Sequence, residues 1–228
     1  MRPLIVIRPE PGNTATLAAA REAGLDAIGV PLQQVEAVEW EVPDGAFDGL
    51  LIGSANAFRH GGPSMRRFAH LPVYAVGETT AAAARDAGFE VAATGKGGLQ
   101  NVLNDLPDDK PARLLRIGGA ERVELAIPAH LTVVDVTAYR LSDREPDVAE
   151  LAAFAGPCCI AVHSASAMRR LDAVFTRREL PRSRAILCVL GPRIVQSGTE
   201  GWAEIAIAET PDDAALLAMA RQMCQRGN

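Results

Sequence analysis

Short apolar runs alternate with Ala-rich segments of helical length along most of the chain. The runs end at glycine, proline or small polar residues, as the buried strands of parallel sheets do. Several Ala-rich segments stop at a glycine, such as Gly24 and Gly88, where helices commonly end. The alternation predicts an α/β protein with doubly wound parallel sheets.

One pattern occurs twice along the chain. Residues 50–56 are LLIGSAN and residues 159–166 are CIAVHSAS, so each apolar run stops at a Ser-Ala dipeptide. Each is followed by a second apolar run that ends in glycine, at Gly77 or Gly191. Internal repetition indicates two similar α/β units, each with polar loop residues at the carboxyl ends of buried strands. A ligand between two such units would be held from both sides.

The predicted strands are distributed unevenly along the chain. In the middle of the chain, the expected strands begin at Leu50, Val73, Val91, Leu114 and Leu131. The block after residue 143 has fewer, and the N-terminal strands at Leu4 and Leu25 make up the difference.

This distribution predicts a discontinuous domain. We expect residues 1–32 and 143–228 to form domain 1 and residues 42–136 to form domain 2. The chain then crosses between the domains at residues 33–41 and 137–142. These two extended segments are the expected linker strands, paired into a short antiparallel ribbon.

Several helix assignments depend on local signals. A helix is expected to begin near Thr14, with Asn13 or Thr14 as its N-cap. The terminal helix is expected over Asp212–Gln225, with Asp212 as its N-cap. Further helices are expected around Glu121–Ile127 and from Gly191-Pro192 to Gly198.

Composition and charge narrow the function classes. The 228 residues are 48% hydrophobic and 4% aromatic, with a net charge of −5 and a pI of about 5.4. An acidic chain has no global basic field to attract nucleic acid or a membrane surface, although local arginines can still bind an anion. No apolar stretch approaches the ~20 residues of a membrane span. The N-terminal MRPLIVIRPE lacks the architecture of a signal peptide.

The cysteines point to the compartment. They show no metal-binding spacing, and adjacent thiols inside an apolar run are most simply buried and reduced. They are Cys158, Cys159, Cys188 and Cys224. We therefore expect a cytoplasmic protein.

Small and polar residues that follow the predicted strands form the candidate binding loops. In open α/β sheets, ligands bind outside the carboxyl ends of the strands, where helix N-termini present free N–H groups to anions. The candidate loops are Ser54-Ala55-Asn56, Gly77-Glu78-Thr79-Thr80, Gly118-Gly119, Ser164-Ala165-Ser166 and Gly191-Pro192-Arg193. Each loop taken alone is more simply explained by ordinary caps and turns, but the repeat of the pattern in both halves of the chain favours a function for the set.

Tyr139 is the candidate for proton transfer. The chain contains only two tyrosines, Tyr74 and Tyr139. A phenol at the second domain crossing can protonate a leaving hydroxyl. The alternative is a tyrosine packed on the linker ribbon with its hydroxyl in water.

Other side chains add binding capacity but no further chemistry. Arg8, Arg116, Arg122 and Arg193 follow or end strands and suit carboxylates, whereas the alternative for each is a surface ion pair. The four histidines have no metal-ligand spacing, and no nucleophile elbow or phosphate-binding glycine loop is present. We expect neither a metal nor a nucleotide cofactor.

The ordered set of motifs resembles the uroporphyrinogen-III synthases. The matching segments are IVIRPEPGNTATLAAAREAGLDAIGVP, FDGLLIGSANAF, LPVYAVGETTAAAARDAGF, LLRIGG, VTAYR, the strand with HSASAM and the strand with VLGPR. They are spread over nearly the whole chain and occur in the family's order.

The resemblance implies two flavodoxin-like domains joined by a two-stranded linker, and an enzyme without a cofactor. Such enzymes convert hydroxymethylbilane, a linear tetrapyrrole with eight carboxylates, to uroporphyrinogen III. Water is lost, a spiro intermediate forms and ring D is inverted. The VTAYR match places the family's conserved tyrosine at Tyr139, which would assist departure of the hydroxyl. Ser54, Thr80 and Ser164 match polar positions that line the family's substrate site.

One departure from the family concerns a G-P-x-T stretch, where this chain has Ile194 in place of threonine. Arg193 either replaces the missing contact or faces solvent. We expect a monomer that binds a small-molecule substrate and neither nucleic acid nor a membrane. A transient contact with hydroxymethylbilane synthase is compatible with the instability of that enzyme's product, although no residue indicates it. Two alternatives stay open: a catalytically silent protein that binds or senses tetrapyrroles, and a nucleotide-dependent transferase.

Overall fold

A computed structural model of the chain describes residues 1–107, 112–195 and 200–226. The fold is mixed α/β with parallel sheets, and the chain divides into two compact units. Unit 1 comprises Met1–Gln34 and Ser142–Asn228, and unit 2 comprises Val35–Leu141. In the described part of the chain, none of the helices has both the length and the apolar character needed to cross a bilayer.

Strands and helices alternate along the chain, as the hydrophobic pattern predicts. The strands are β1 (Leu4–Val6), β2 (Ala27–Gly29), β3 (Gln33–Ala37), β4 (Gly49–Ile52), β5 (Val73–Val76), β6 (Val91–Gly95), β7 (Ala112–Gly119), β8 (Leu131–Asp143), β9 (Cys158–Val162), β10 (Ala185–Val189) and β11 (Glu204–Ile207). The α-helices are α1 (Gly12–Glu22), α2 (Asn56–His60), α3 (Glu78–Asp86), α4 (Leu99–Asn104), α5 (Val148–Ala152), α6 (Ala165–Arg177) and α7 (Asp213–Gln225). Short 3₁₀ helices span Pro63–Phe68, Arg182–Arg184 and Pro192–Ile194.

Unit 1 is built on a parallel sheet with the strand order β11-β10-β9-β1-β2. Numbered along unit 1 and taken from β2, the order is 2-1-3-4-5, a common order of doubly wound sheets. The N-terminal strands therefore share one sheet with the strands of the C-terminal segment. The order reverses between β1 and β9, which makes their carboxyl ends the switch point of this sheet.

Apolar side chains cover both faces of the unit 1 sheet. Ile5, Ile160 and Leu187 point to the face on which α6 packs Leu171 and Phe175. The alternate residues of the same strands form a second core with the apolar stripe of α7. Since the strands are buried on both faces, their polar neighbours are confined to the strand ends.

Unit 2 contains the sheet order β3-β8-β7-β4-β5-β6, in which β4 to β8 run parallel. Numbered along β4 to β8, the order is 3-2-1-4-5 and reverses between β4 and β7. Leu50 and Leu115 belong to the core on one face, and Leu51 and Leu114 belong to the core on the other. The pairing of β7 with β8 shifts register between Gly118 and Gly119.

The prediction of a helix around Glu121–Ile127 is wrong, because this segment is irregular. Its backbone groups bond to side chains of neighbouring elements. Gln100 Oε1 accepts from Ala126 N at 2.8 Å, and Gln100 Nε2 donates to Ala126 O at 2.9 Å. Arg116 Nη2 donates to Val123 O at 2.9 Å. A helix would use the same backbone groups for its own hydrogen bonds.

Helix caps follow the sequence signals in one case and depart from them in another. Asp212 is the N-cap of α7, as predicted, and its Oδ1 accepts from Ala215 N at 2.9 Å. Neither Asn13 nor Thr14 caps α1, which begins before both residues. The buried Asn13 amide instead donates to Val6 O at 2.7 Å, which ties the helix to the end of β1.

All four cysteines lie in unit 1 as buried, free thiols. Burial raises the pKa of Cys158 to about 12, and hydrogen bonding to Cys188 is the largest influence that raises the pKa of Cys159 to about 12. The pKa of Cys224 is also raised, chiefly by its hydrogen bond with Cys159. These neutral thiols pack as small apolar side chains. Within the described ranges, no group of three or more His, Cys, Asp or Glu residues is placed to hold a metal ion.

Phe175→Ala is expected to lower the free energy of unfolding by about 3–5 kcal/mol, because a well-packed ring would be replaced by a cavity. The ring centroid of Phe175 lies 5.4 Å from that of Phe154 and 4.7 Å from that of Trp202. Urea unfolding followed by circular dichroism measures the change. The control Val148→Ala, at a position 85% exposed, should change stability by less than about 0.5 kcal/mol. Equal midpoints for the two variants would contradict this account of the core.

Candidate active site

The carboxyl ends of the parallel strands of unit 2 bring several predicted residues to one edge of the sheet. Ser54 follows β4, Gly77 follows β5, and Gly118 and Gly119 end β7. Tyr139 lies in β8, paired with Gly119. Since β4 and β7 flank the point where the strand order reverses, this edge has the geometry at which doubly wound sheets bind ligands.

The ring of Tyr139 lies against the backbone of Gly119. A Cβ added to Gly119 would lie 2.8 Å from Tyr139 Cε2 and 3.1 Å from Cζ, closer than side-chain atoms approach. The carbonyl of Tyr139 accepts from Ala120 N at 2.9 Å, directly after this contact. The absence of a side chain at Gly119 therefore lets the half-buried phenol ring lie against the backbone.

His60, the last residue of α2, is the second ring beside Tyr139. The two ring centroids are 6.3 Å apart and the ring planes are tilted by 47°. Partial burial, together with the charge of Arg59, lowers the pKa of His60 below its ordinary value. The imidazole next to the phenol is therefore mostly neutral at pH 7. Sequence reasoning did not assign His60, because no spacing links it to Tyr139.

The Ser54-Ala55-Asn56 loop uses its polar groups locally. Ser54 Oγ accepts from Asn56 N at 3.3 Å, and Asn56 Oδ1 accepts from Arg59 Nη1 at 3.3 Å. Ala55 is buried, whereas Ser54 and Asn56 are half-buried. These contacts shape the turn from β4 into α2 and leave both polar side chains partly accessible.

Gly77 makes the sharp turn from β5 into α3. Its φ of +74° is a left-handed conformation that favours glycine, and its N–H donates to Gly95 O at 2.9 Å. Thr80 lies in the first turn of α3, where its N–H donates to Gly77 O at 3.1 Å. At 4% exposure, Thr80 belongs to the interior of unit 2.

The second copy of the repeat, in unit 1, is bonded differently from the first. Ser164 is the N-cap of α6, and its Oγ accepts from Ala167 N at 3.1 Å. Ala165 is the first residue of that helix. Ser166 Oγ accepts from the buried Gln33 Nε2 at 2.9 Å. Both hydroxyls of this copy are thus already engaged in holding the loop.

Gly191 and its neighbours form the end of β10. Gly191 has an extended φ of −175°, which any residue adopts, and it precedes the 3₁₀ helix Pro192–Ile194. Arg193 is exposed, and Ile194 packs into the core of unit 1. The longer helix predicted from the sequence extends into residues 196–199, outside the described part of the chain.

Arg8 belongs to an ion-pair cluster that sequence reasoning missed. Arg8 Nη1 lies 3.0 Å from Asp213 Oδ2 and donates to Thr16 Oγ1 at 3.2 Å. The Thr16 hydroxyl donates to Asp213 Oδ2 at 2.8 Å. His163 Nε2 lies 3.3 Å from Asp213 Oδ1, although the ring is not aligned for a good hydrogen bond.

This cluster joins the ends of β1 and β9 to α1 and to the first turn of α7. The approach of His163 is the largest influence that holds the pKa of Asp213 at about 2, helped by the Thr16 hydroxyl and the Arg8 charge against the effect of burial. Arg8 and Asp213 are 205 residues apart, so no local sequence signal links them. The guanidinium of Arg8 therefore links these structural elements. It also supplies a positive charge at this edge of the unit 1 sheet.

Asp213→Asn is expected to lower the free energy of unfolding at pH 7 by about 1–2 kcal/mol, because the charge that faces Arg8 is lost. The effect is modest because the Asp213 side chain is 39% exposed and solvent screens it. The pKa of Asp213 falls from its ordinary 3.8 to about 2 in the folded protein. Its contribution is therefore present above pH ~4 and is lost as the pH falls through about 2.

Denaturant titrations between about pH 7 and pH 2 measure this difference, and the two proteins should converge in stability as the pH falls. Asp26→Asn, at an exposed position of unit 1, is the matched control. A loss in Asp213→Asn that is the same at every pH would show that the ion pairs are not its cause.

Comparison with known proteins gives one family and several similar structures. The family model of uroporphyrinogen-III synthase HemD matches residues 15–218. The crystal structure of uroporphyrinogen-III synthetase from Helicobacter pylori has a TM-score of 0.67 at 16% identity, covering 98% of this chain and 100% of that chain. A mutant uroporphyrinogen III synthase from Thermus thermophilus has a TM-score of 0.55 at 18% identity, covering 99% of this chain and 100% of that one. A search of curated proteins found no match.

The two kinds of comparison carry different weight. At these identities, the likeness to the two crystal structures concerns the fold alone. The family model is the stronger finding, because it spans Tyr139 and all the candidate loops of unit 2. The family consists of cyclising lyases of tetrapyrrole biosynthesis. The chain therefore belongs to the uroporphyrinogen-III synthase family.

Proposed function

We propose that this chain converts hydroxymethylbilane to uroporphyrinogen III, with loss of water and inversion of ring D. The observation that carries the proposal is the family match over residues 15–218. The reaction suits a protein without a cofactor, because the pyrrole rings supply the electrons that form the new carbon–carbon bond.

Tyr139 is the proposed general acid. Its phenol gives a proton to the substrate hydroxyl as the C–O bond breaks, so that water leaves, and loss of the pyrrole N–H proton then gives the azafulvene. A single general acid contributes about 10²–10⁴-fold to the rate. The close contact of the Tyr139 ring with Gly119 supports this role, because it limits the directions in which the phenol can point.

Holding the substrate in a folded-back conformation is the larger proposed contribution. Closure without the enzyme gives the type I isomer, in which ring D is not inverted. Fixing the reacting groups in one geometry can account for a large part of a barrier. A polycarboxylate offers many points of attachment, and N–H groups at helix starts bind such anions.

The residues proposed to bind the substrate carboxylates differ in how accessible they are to a ligand. A Cβ added at Gly118 or Gly191 would meet no atom within 4 Å, so the backbone is accessible at both positions. Thr80 is buried and acts through its loop, and Arg8 is already paired with Asp213. The proposed substrate-binding residues are Arg8, Ser54, Ala55, Asn56, Gly77, Thr80, Gly118, Gly119, Ser164, Ala165, Ser166, Gly191 and Arg193.

We propose two doubly wound domains, made of residues 1–32 with 143–228 and of residues 42–136, the first of them flavodoxin-like. Residues 33–41 and 137–142 are the proposed linker strands. The strand order 2-1-3-4-5 of unit 1 supports the flavodoxin-like description, and the order 3-2-1-4-5 of unit 2 supports a doubly wound sheet of the other common type. We further propose a cytoplasmic monomer that meets hydroxymethylbilane synthase transiently.

A coupled assay tests the function directly. Hydroxymethylbilane is generated in situ, this protein is added, and the oxidised uroporphyrin isomers are separated by chromatography. We expect predominantly type III product. Type I product at the spontaneous rate would refute the lyase, and tight tetrapyrrole binding without turnover would then favour a silent binding protein.

Tyr139→Phe is expected to lower the rate of type III formation by about tenfold or more, because only the acidic hydroxyl is removed. The same coupled assay measures the rate. Tyr74→Phe is the matched control, since Tyr74 also packs its ring against a glycine, with Cε2 2.7 Å from a Cβ built on Gly49. An unchanged rate in Tyr139→Phe would remove this residue from the mechanism.

Gly119→Ala is expected to lower kcat about tenfold or more while the protein stays folded, because the added Cβ displaces the Tyr139 ring by roughly a bond length from its productive position. Gly156→Ala is the control, since a Cβ there meets no atom within 4 Å. Circular dichroism verifies folding, and the isomer assay gives kcat. Full activity in Gly119→Ala would mean that the ring position does not matter.

A further inference from the structure

An open cavity in unit 2 has a buried arginine at its floor. It measures about 320 Å³ and lies beside β7 and β8, where the sequence predicts a helix and the chain is irregular. Arg116, on β7, and Arg122, in the irregular segment, both line it. A helix over residues 121–127 would place these groups differently, so the cavity follows from the same contacts that prevent the helix.

Arg116 is nearly enclosed and incompletely paired. Its side chain is only 7% exposed. Nη2 donates to Val123 O at 2.9 Å, and it is the only nitrogen of this guanidinium that donates a hydrogen bond to a described residue. Nε lies 3.6 Å from Asp135 Oδ1, beyond hydrogen-bonding distance. A buried guanidinium normally has more of its donors satisfied.

The nearest carboxylate is shared with a second cation. Arg122 Nη1 donates to Asp135 Oδ1 at 2.9 Å, and Arg122 Nη2 donates to the Thr137 hydroxyl. The other acid at the cavity, Glu124, is exposed and forms no ion pair with any described residue. Burial, and then the charge of Arg122, lower the pKa of Arg116 against the opposing effects of Asp135 and Tyr139. Arg116 therefore has room and charge for one more anionic partner.

The cavity also has an exposed apolar wall. Val123 is 77% exposed and Ile127 is 41% exposed, and both line the cavity together with Arg116 and Arg122. Exposed apolar side chains that line a cavity favour an apolar ligand group. A cation at the floor and an apolar wall together match an anion carried on a small ring.

We infer that this cavity binds a carboxylate attached to a small aromatic ring, with the carboxylate on Arg116 and Arg122 and the ring against Val123 and Ile127. Resting on the proposed function, the natural ligand is a carboxylate-bearing pyrrole ring of the linear tetrapyrrole. Thr137, which binds Arg122, lies two residues before Tyr139 in β8, while the Tyr139 ring packs with the core on the opposite face of the sheet. Arg116 and Arg122 are thus proposed as substrate-binding residues for one ring.

Phenylacetate and acetate are the probes, titrated into the 228-residue protein and followed by amide NMR shifts. Phenylacetate should shift the resonances of Val123 and Asp135 and bind about tenfold more tightly than acetate, which lacks the ring. Arg122→Gln should weaken phenylacetate binding about tenfold or more, because a charged hydrogen-bond donor is lost. Val123→Ser should reduce the preference for phenylacetate over acetate. Arg116→Lys tests the floor if it folds, and Arg122→Gln and Val123→Ser decide the question without it.

Kinetics connect the cavity to the substrate. Arg122→Gln should raise KM for hydroxymethylbilane about tenfold and leave kcat within about twofold, because the lost contact anchors a ring that does not react. Arg226→Gln, which breaks an exposed ion pair with Glu204 in unit 1, is the matched control and should change neither constant. Phenylacetate should inhibit the wild-type enzyme competitively.

The outcomes separate this inference from the proposed function. Absence of phenylacetate shifts at the cavity in the wild-type protein would overturn the site. Binding of phenylacetate together with an unchanged KM in Arg122→Gln would overturn its assignment to the substrate. If the wild-type protein forms only type I product, the proposed function fails, while the phenylacetate titration still decides whether the carboxylate site exists.

Discussion

Burial of the parallel strands on both faces is the constraint on which the rest of the structure depends. Every residue of β9 and β10 is buried, and all of them are apolar residues or cysteines. A hydroxyl or carboxylate inside such a strand would lose its water without gaining a partner. Polar groups therefore collect at the strand ends, which parallel strands bring to one edge of the sheet. Arg116 is an exception in the middle of β7, and it stays charged by reaching beyond its own strand to Val123 and Asp135.

At the strand ends, side chains and backbone groups have different roles. The hydroxyl of Ser164 caps α6 and that of Ser166 accepts from Gln33, so these side chains chiefly hold the loop in place. The N–H groups of the first helical turn are then the groups best placed to meet an anion. In unit 2, the missing side chain of Gly119 is what lets the Tyr139 ring lie against the backbone. The candidate site is therefore made as much by small residues as by reactive ones.

Local signals in the sequence were sufficient for much of the fold and for less of the site. The starts of β5 at Val73 and β8 at Leu131 follow from apolar runs, and Asp212 caps α7 as its position indicates. The segment Glu121–Ile127 failed as a helix because Gln100, in α4, and Arg116, in β7, bind its backbone. The pairing of Arg8 with Asp213 could not be predicted from the sequence either, since only the assembled sheet brings β1 and α7 together. The catalytic role of Tyr139 stays a prediction. The register shift between β7 and β8 at Gly119, where the Tyr139 ring packs, is a feature of the fold.

Because all the cysteines lie in one unit, the reactivity of their thiols measures the local opening of that unit. All four cysteines lie in unit 1, where they are buried and their pKa values, where shifted, are raised, and unit 2 has none. A neutral, enclosed thiol reacts with an alkylating reagent only when the surrounding structure opens. The rate of thiol labelling thus reports the local opening of unit 1 alone. The native cysteines serve as the labelling sites, so no substitution is needed. Comparing that rate with amide exchange in unit 2 would tell whether the two units open as one cooperative body or separately.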